Sequence, residues 1–227
     1  MVAIAERKKA GQDIAARDRL LASATELFTR KGYAGTTVRE IVQAAGVTKP
    51  VLYYYFRNKE GIYLELMREA FAQFETLLGA SQEEPGSAKE RLFRLYDRVM
   101  ALFLENLPVA RLMYSIYYGP PQGAPFFDFD AYHLRFQSTV GRLVEEGIRR
   151  GEFRRGNPED MTWAVIGAIN VTMELHLCHP EKGPGRDGLS RILNIIFSGI
   201  SRQGREAGRV SAKPRGSREK RRSGGGT

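Results

Sequence analysis

The 227-residue chain contains a single cysteine, Cys178, so no disulfide can form within it. That suits a reducing compartment and excludes a disulfide-stapled scaffold. Long apolar runs are also missing. The two longest, 161–169 and 192–200, fall well short of the roughly 20 residues that a membrane-spanning helix needs. The N-terminus turns basic before any apolar stretch develops, so no signal peptide is visible, and a cytoplasmic protein is expected. No segment sustains a polar–apolar alternation, which argues against strands and for an all-α chain. Catalytic signatures are lacking as well, with neither a glycine-rich phosphate loop nor a nucleophile elbow. Glu174, His176, Cys178 and His179 cluster in sequence but divide between two helix faces, so no metal site is expected, nor any cofactor. Asp128 and Asp130 read as caps for the following helix rather than as paired acids.

What is present is positive charge, and it is uneven. The net charge is +9. Residues 1–60 carry +5, residues 61–201 carry −3 and residues 202–227 carry +7. Basic ends on a slightly acidic body point to a polyanionic partner, and charge alone does not separate nucleic acid from lipid or from plain solubility.

The apolar spacing is helical. Leu20, Leu21, Ala24, Leu27 and Phe28 form one helix face, closed by Gly32. Thr37 and Glu40 form a capping box for a short helix to about Ala44. Thr48 is placed to cap a second short helix with Pro50 in its first turn. Asn58 caps a long helix to about Leu78, and Gly79–Ser87 reads as a linker. Further helices are predicted over about 88–105, 109–118, 130–150, 158–179 and 189–202, nine in all. Residues 1–16 read as a flexible basic arm, 17–60 as one domain, 61–202 as a second, and 203–227 as a disordered basic tail.

Residues 36–56 carry the strongest signal. Two short capped helices flank a turn at Gly46, whose freedom to take a positive φ suits a tight helix-turn-helix. The second helix offers Lys49, Val51 and three consecutive tyrosines, which suits a major groove; a plain helical hairpin with buried tyrosines fits the spacing too. The residues Ala24-Thr-Glu-Leu-Phe28, Lys31-Gly-Tyr33, Thr36-Thr-Val-Arg-Glu-Ile41, Ala45 through Phe56 and Asn58-Lys-Glu60 decide between them. Residues 17–64 resemble the N-terminal DNA-binding domain of the TetR (tetracycline-repressor-like) family. The resemblance implies a three-helix DNA-binding domain followed by a larger helical domain for ligand binding and dimerisation. It implies that Thr37 contacts phosphate through its hydroxyl and amide. Thr48, Lys49, Pro50 and Val51 would read bases, and Tyr53 and Tyr55 would reach phosphate or sugar. Lys59 would hold a phosphate together with the start of its helix. Val38 departs from relatives with a polar base-reading residue there, and Tyr54 fits core as well as surface.

Beyond residue 88 aromatic and methionine density is high. A packed core accounts for most of it, but the resemblance implies an effector cavity between these helices. Its candidate residues are Tyr96, Phe103, Met113, Tyr114, Tyr117, Phe127, Phe136, Trp163, Asn170 and Glu174. Two apolar helices at the end of the chain are similar to the family's dimer interface, with Ala164, Gly167, Ala168, Val171, Ile192, Ile195, Ile196 and Ile200 as candidates. The expected protein is a homodimeric, ligand-responsive transcriptional regulator, a repressor released from a palindromic operator by an unidentified small-molecule effector. A small all-α enzyme and a DNA-binding dimer without an effector are the alternatives. Turnover of a candidate ligand would identify the first, and the lack of ligand-induced thermal shifts the second.

Overall fold

The computed structural model describes residues 2–201, Gln122 excepted. The described residues form nine helices and no strand: α1 (Val2–Lys31), α2 (Val38–Ala44), α3 (Lys49–Phe56), α4 (Lys59–Gln82), α5 (Ala88–Glu105), α6 (Leu107–Tyr117), α7 (Phe129–Arg150), α8 (Pro158–Cys178) and α9 (Gly185–Ile200). The caps read from the sequence account for most boundaries. Thr37 and Glu40 make their capping box, Asn58 Oδ1 accepts from Gly61 N at 2.7 Å, and Asp128 caps α7 by accepting from Ala131 N at 3.0 Å. Gly46 turns between α2 and α3 with φ 63°, where no side chain crowds it.

Several expectations shift. Helix α1 reaches back to Val2, so the segment 1–16 expected as an arm is helical from residue 2. Helix α4 runs through Gly79 to Gln82, because a glycine inside a helix costs only about 1 kcal/mol and Leu78 and Ser81 are buried there. Helix α9 begins at Gly185 rather than Leu189, and Thr48 flanks α3 without a side-chain capping bond. The tail 203–227 lies outside the described residues.

Two hydrophobic cores result. The first joins α1, α2, α3 and the start of α4 around Phe28, Ile41, Leu52 and Tyr63. The second joins α5, α7, α8 and α9 to the end of α4 around Tyr96, Val140, Val165 and Phe197. Helix α4 spans both, with Ile62, Tyr63, Leu66 and Met67 in one and Leu78 in the other. Helix α6 meets α5 at 92°. The break falls at Asn106 and Pro108, since a proline in the first turn needs no amide partner and cannot continue the preceding helix.

Helix α3 is fastened to α4 by backbone contact as well. A Cβ on Gly61 would lie 1.9 Å from Phe56 O, so the end of α3 approaches α4 more closely than any side chain allows. Gly61→Ala should therefore destabilise the N-terminal domain by about 1–3 kcal/mol, the usual cost of overpacking. Denaturant unfolding would show it, and a midpoint equal to wild type would contradict this packing.

Candidate nucleic-acid interface and effector cavity

Helix α3 buries Leu52 and Phe56 and turns the opposite side outward. Lys49 and Pro50 are exposed, Val51 is half-buried, and Tyr53 and Tyr54 are 49% and 79% exposed. Tyr54, the weaker expectation, is thus the most accessible tyrosine of the three. Tyr55 is half-buried and packs its ring against those of Tyr54 and Phe56. The Thr48 hydroxyl makes no capping bond and is open to solvent at the head of α3. Arg39 and Arg57 are exposed on either side.

Two expected phosphate contacts look different in three dimensions. The Thr37 amide and hydroxyl both donate to Glu40 Oε2 at 2.9 Å, so the two donors expected for a phosphate already hold a carboxylate. Lys31 pairs with the same carboxylate. Its ammonium first, then the Thr37 amide and hydroxyl, hold Glu40 at about 2, far below the ordinary glutamate value of 4.5. Lys59 is also engaged. Its ammonium donates to Tyr33 O at 2.8 Å and Thr36 O at 2.9 Å and sits 4.2 Å from the Tyr33 ring centre. Burial there lowers its pKa. Lys59 staples the start of α4 to the α1–α2 connection, which leaves at most one proton for a phosphate.

The second site is a cavity of about 200 Å³ walled by α4, α5, α6, α7 and α8. Of the ten sequence candidates it gathers Phe103, Met113, Tyr114, Tyr117, Phe136 and Asn170. Tyr96 does not line it; the side chain is fully buried among α5, α7 and α8 core residues, with its hydroxyl unpaired. Phe127 lies behind the wall, stacked on Phe71 and Tyr132. Trp163 is exposed on α8, and Glu174 is exposed outside the wall. Sequence spacing did not point to the α4 wall, Met67, Ala70, Phe71 and Phe74, or to Asn106 and His133. Burial, with help from Tyr118 and Glu174, pushes the Tyr114 hydroxyl up to about 12, so it is a neutral donor at physiological pH.

A third surface lies on α8 and α9. Val171 is 56% and Ile195 73% exposed, with Trp163, Ala164 and Ile192 exposed nearby. Gly167 meets nothing within 4 Å where a Cβ would stand. Ala168, Ile196 and Ile200, expected at a dimer face, pack instead into the chain's own core, because the two helices also bury one stripe each against α5 and α7.

Residues 20–66 match the family model described as bacterial regulatory proteins, tetR family. The transcriptional regulator QacR of Staphylococcus aureus is 32% identical over 163 residues, covering 68% of this chain and 82% of that one. The chain belongs to the tetR family. The transcriptional repressor KstR2 of Mycolicibacterium smegmatis is 28% identical over 158 residues, 68% of this chain and 76% of its own. The crystal structure of the TetR family regulator PfmR from Thermus thermophilus superposes with a TM-score of 0.63 at 26% identity, over 81% of this chain and all of that one. Like other TetR family proteins, the chain is a DNA-binding transcriptional regulator that acts as a dimer and responds to a small-molecule effector.

Two kinds of outcome follow from the geometry of this TetR head, one from its lysines and one from Glu40. Lys49→Ala should cost roughly 1–3 kcal/mol of specific operator binding and relax preference at one base pair. Lys59→Met should instead lower the melting temperature and weaken binding to every duplex, with the salt slope kept. A slope reduced by about 0.9 at unchanged stability would return Lys59 to direct phosphate contact. Glu40 supplies the second. Its folded-state pKa lies below its unfolded value, so its contribution is complete above about pH 4.5 and is lost as pH falls toward 2. Acid unfolding of Glu40→Gln should lack that component, and identical acid profiles would contradict the Lys31–Glu40–Thr37 arrangement.

Proposed function

We propose that the chain is a homodimeric repressor whose α3 helices enter successive major grooves of a palindromic operator and leave it when the cavity is filled. In each half-site Thr48, Lys49, Pro50 and Val51 face base edges, and Tyr53 and Tyr54 reach the backbone. Arg39 and Arg57 supply phosphate contacts that Thr37 and Lys59, being engaged, supply less. Tyr55 contributes from its half-buried position. Two-fold symmetry sets half-sites roughly 34 Å apart. A protein working on chromosomal DNA works in the cytoplasm.

The observation that carries the regulatory reading is the double attachment of α6. Leu112, fully buried, belongs to the core of the DNA-binding head. Ala110, Met113, Tyr114 and Tyr117 of the same helix line the cavity. A ligand that moves the cavity face of α6 must disturb the packing of Leu112 against the head, which shifts the population toward a state with misplaced recognition helices. Operator selection from random duplexes, followed by ligand-induced release, tests the whole scheme.

The dimer would form through α8 and α9. By length and composition α8 is apolar enough to cross a membrane, yet only 39% of its most apolar window is buried within the chain. A soluble chain seldom leaves such a face open. A four-helix bundle of α8 and α9 from two copies would cover Trp163, Ala164, Gly167, Val171, Ile192 and Ile195. Val171→Glu with Ile195→Glu should give a monomer with an unchanged helical signal and no palindrome binding. Both side chains are exposed in the single chain, so the fold should survive them. Sedimentation at micromolar protein decides; a variant that stays dimeric places the interface elsewhere.

A further inference from the structure

We propose that the effector is an uncharged, hydroxylated aromatic molecule of one or two rings, bound through Tyr114 and Asn106. This inference rests on the reading of the cavity as the effector site and narrows what that site accepts.

Size comes first. The cavity is about 200 Å³. An apolar protein cavity of about 150 Å³ takes a single benzene. Two fused rings therefore approach its capacity, and a long acyl chain or a nucleotide exceeds it. Shape agrees. Phe71 and Tyr132 stand with ring centres 4.1 Å apart, and Phe129 lies 5.8 Å from Phe71. Ring faces and edges on several sides favour a flat partner over a branched one.

Charge excludes most metabolites of that size. No Lys, Arg, Asp or Glu lines the wall. Of the charges near the mouth, Asp130 accepts from the Tyr117 hydroxyl at 2.5 Å, Arg135 pairs with Glu75 at 2.7 Å, and Glu174, near enough to act on the Tyr114 hydroxyl, is exposed to water outside the wall. A carboxylate or phosphate entering the cavity would lose its water with no lysine or arginine on the wall to receive it. An ammonium would meet ring faces but no carboxylate on the wall, so it too would be left without a counter-charge.

Polar atoms on the wall specify the remaining feature. The Tyr114 hydroxyl has no hydrogen-bond partner among the described residues. The Asn106 side-chain amide donates to Leu102 O at 3.0 Å, which leaves its carbonyl oxygen as a free acceptor at the head of α6. Tyr114 and Asn106 thus offer one free donor and one free acceptor at α6, facing the polar side chains of His133 and Asn170 across the cavity. A phenolic hydroxyl both accepts and donates, so it can engage either. A hydrocarbon engages neither and leaves them desolvated, and a carboxylate can only accept. Both anchors sit on α6 or its cap, so a ligand held by them would pull on the helix that also carries Leu112.

The test uses the full-length protein with four probes at pH 7: 2-naphthol, naphthalene, 2-naphthoate and decanoyl-CoA. Calorimetry and operator release are read for each. 2-Naphthol should bind and release operator, and naphthalene should bind about tenfold more weakly, the worth of one hydrogen bond. 2-Naphthoate and decanoyl-CoA should be weaker still. Tyr114→Phe should weaken 2-naphthol about tenfold and leave naphthalene unchanged. Failure of 2-naphthol to bind overturns the proposal, as does 2-naphthoate or decanoyl-CoA binding as tightly, or an equal loss of both neutral probes in Tyr114→Phe. Ala110→Trp, which fills the cavity, separates this from the underlying reading. If it abolishes binding of decanoyl-CoA, the cavity remains the effector site and only the ligand class is wrong. If a ligand releases operator from Ala110→Trp as from wild type, the cavity is not the effector site at all.

Discussion

Helix α6 is held on two sides, and the rest of the molecule is arranged around that constraint. One side buries Leu112 in the core of the DNA-binding head, and the other walls the cavity. The right-angle break at Asn106 and Pro108 brings α6 across to α1, where Thr29 Oγ1 donates to Pro108 O at 3.2 Å. A packed core does not deform continuously, so a change on the cavity side is passed to the head as a shift of a whole helix. The eleven-residue α6 shares this double attachment with α4, whose Met67 belongs to the core of the head and also lines the cavity. Helix α4 is a shared strut, with one end in each core.

Several polar groups of the head are spent on internal contacts. Arg17 on α1 reaches Glu65 at 2.7 Å and Glu69 at 2.6 Å on α4, and Arg19 donates to Ala45 O at 3.1 Å. Lys59 closes the opposite corner on two carbonyls. These pairs are partly exposed, so each adds little by itself. Their value is geometric, since together with the close Gly61–Phe56 contact they fix the angle at which α3 leaves the surface. On the proposed reading, the cations left for DNA are those without an internal duty, Lys49 foremost.

Local chemistry was legible without a structure. The capping box at Thr37, the cap at Asn58, the turn at Gly46 and the proline-led start of α8 depend on neighbours a few residues away, and each can be read in order along the chain. So could the helix-turn-helix and the all-α class. Six of the ten candidates also line the cavity, because α5, α6 and α7 are rich in aromatics that had to converge somewhere. The α4 wall was missed because Met67, Phe71 and Phe74 share a helix with head residues, and their spacing does not say which of two cores each faces.

Sequence by itself therefore determined the all-α class, most of the helices and the caps between them, and its resemblance to the TetR family marked the second short helix as the one to meet DNA. Tertiary structure alone decided the assignment of faces. Ile195 and Ile196 are neighbours of identical chemistry, yet one points to solvent and the other packs on the core. Tyr96 is a buried phenol and Tyr114 a half-buried one, and only the second borders the cavity. Lys59 looks like a surface cation and is instead a clamp. In each case the residue type sets what a side chain can do. The helix that packs against it sets whether that capacity is used for folding or left free for a ligand, and that packing is a long-range fact absent from local spacing.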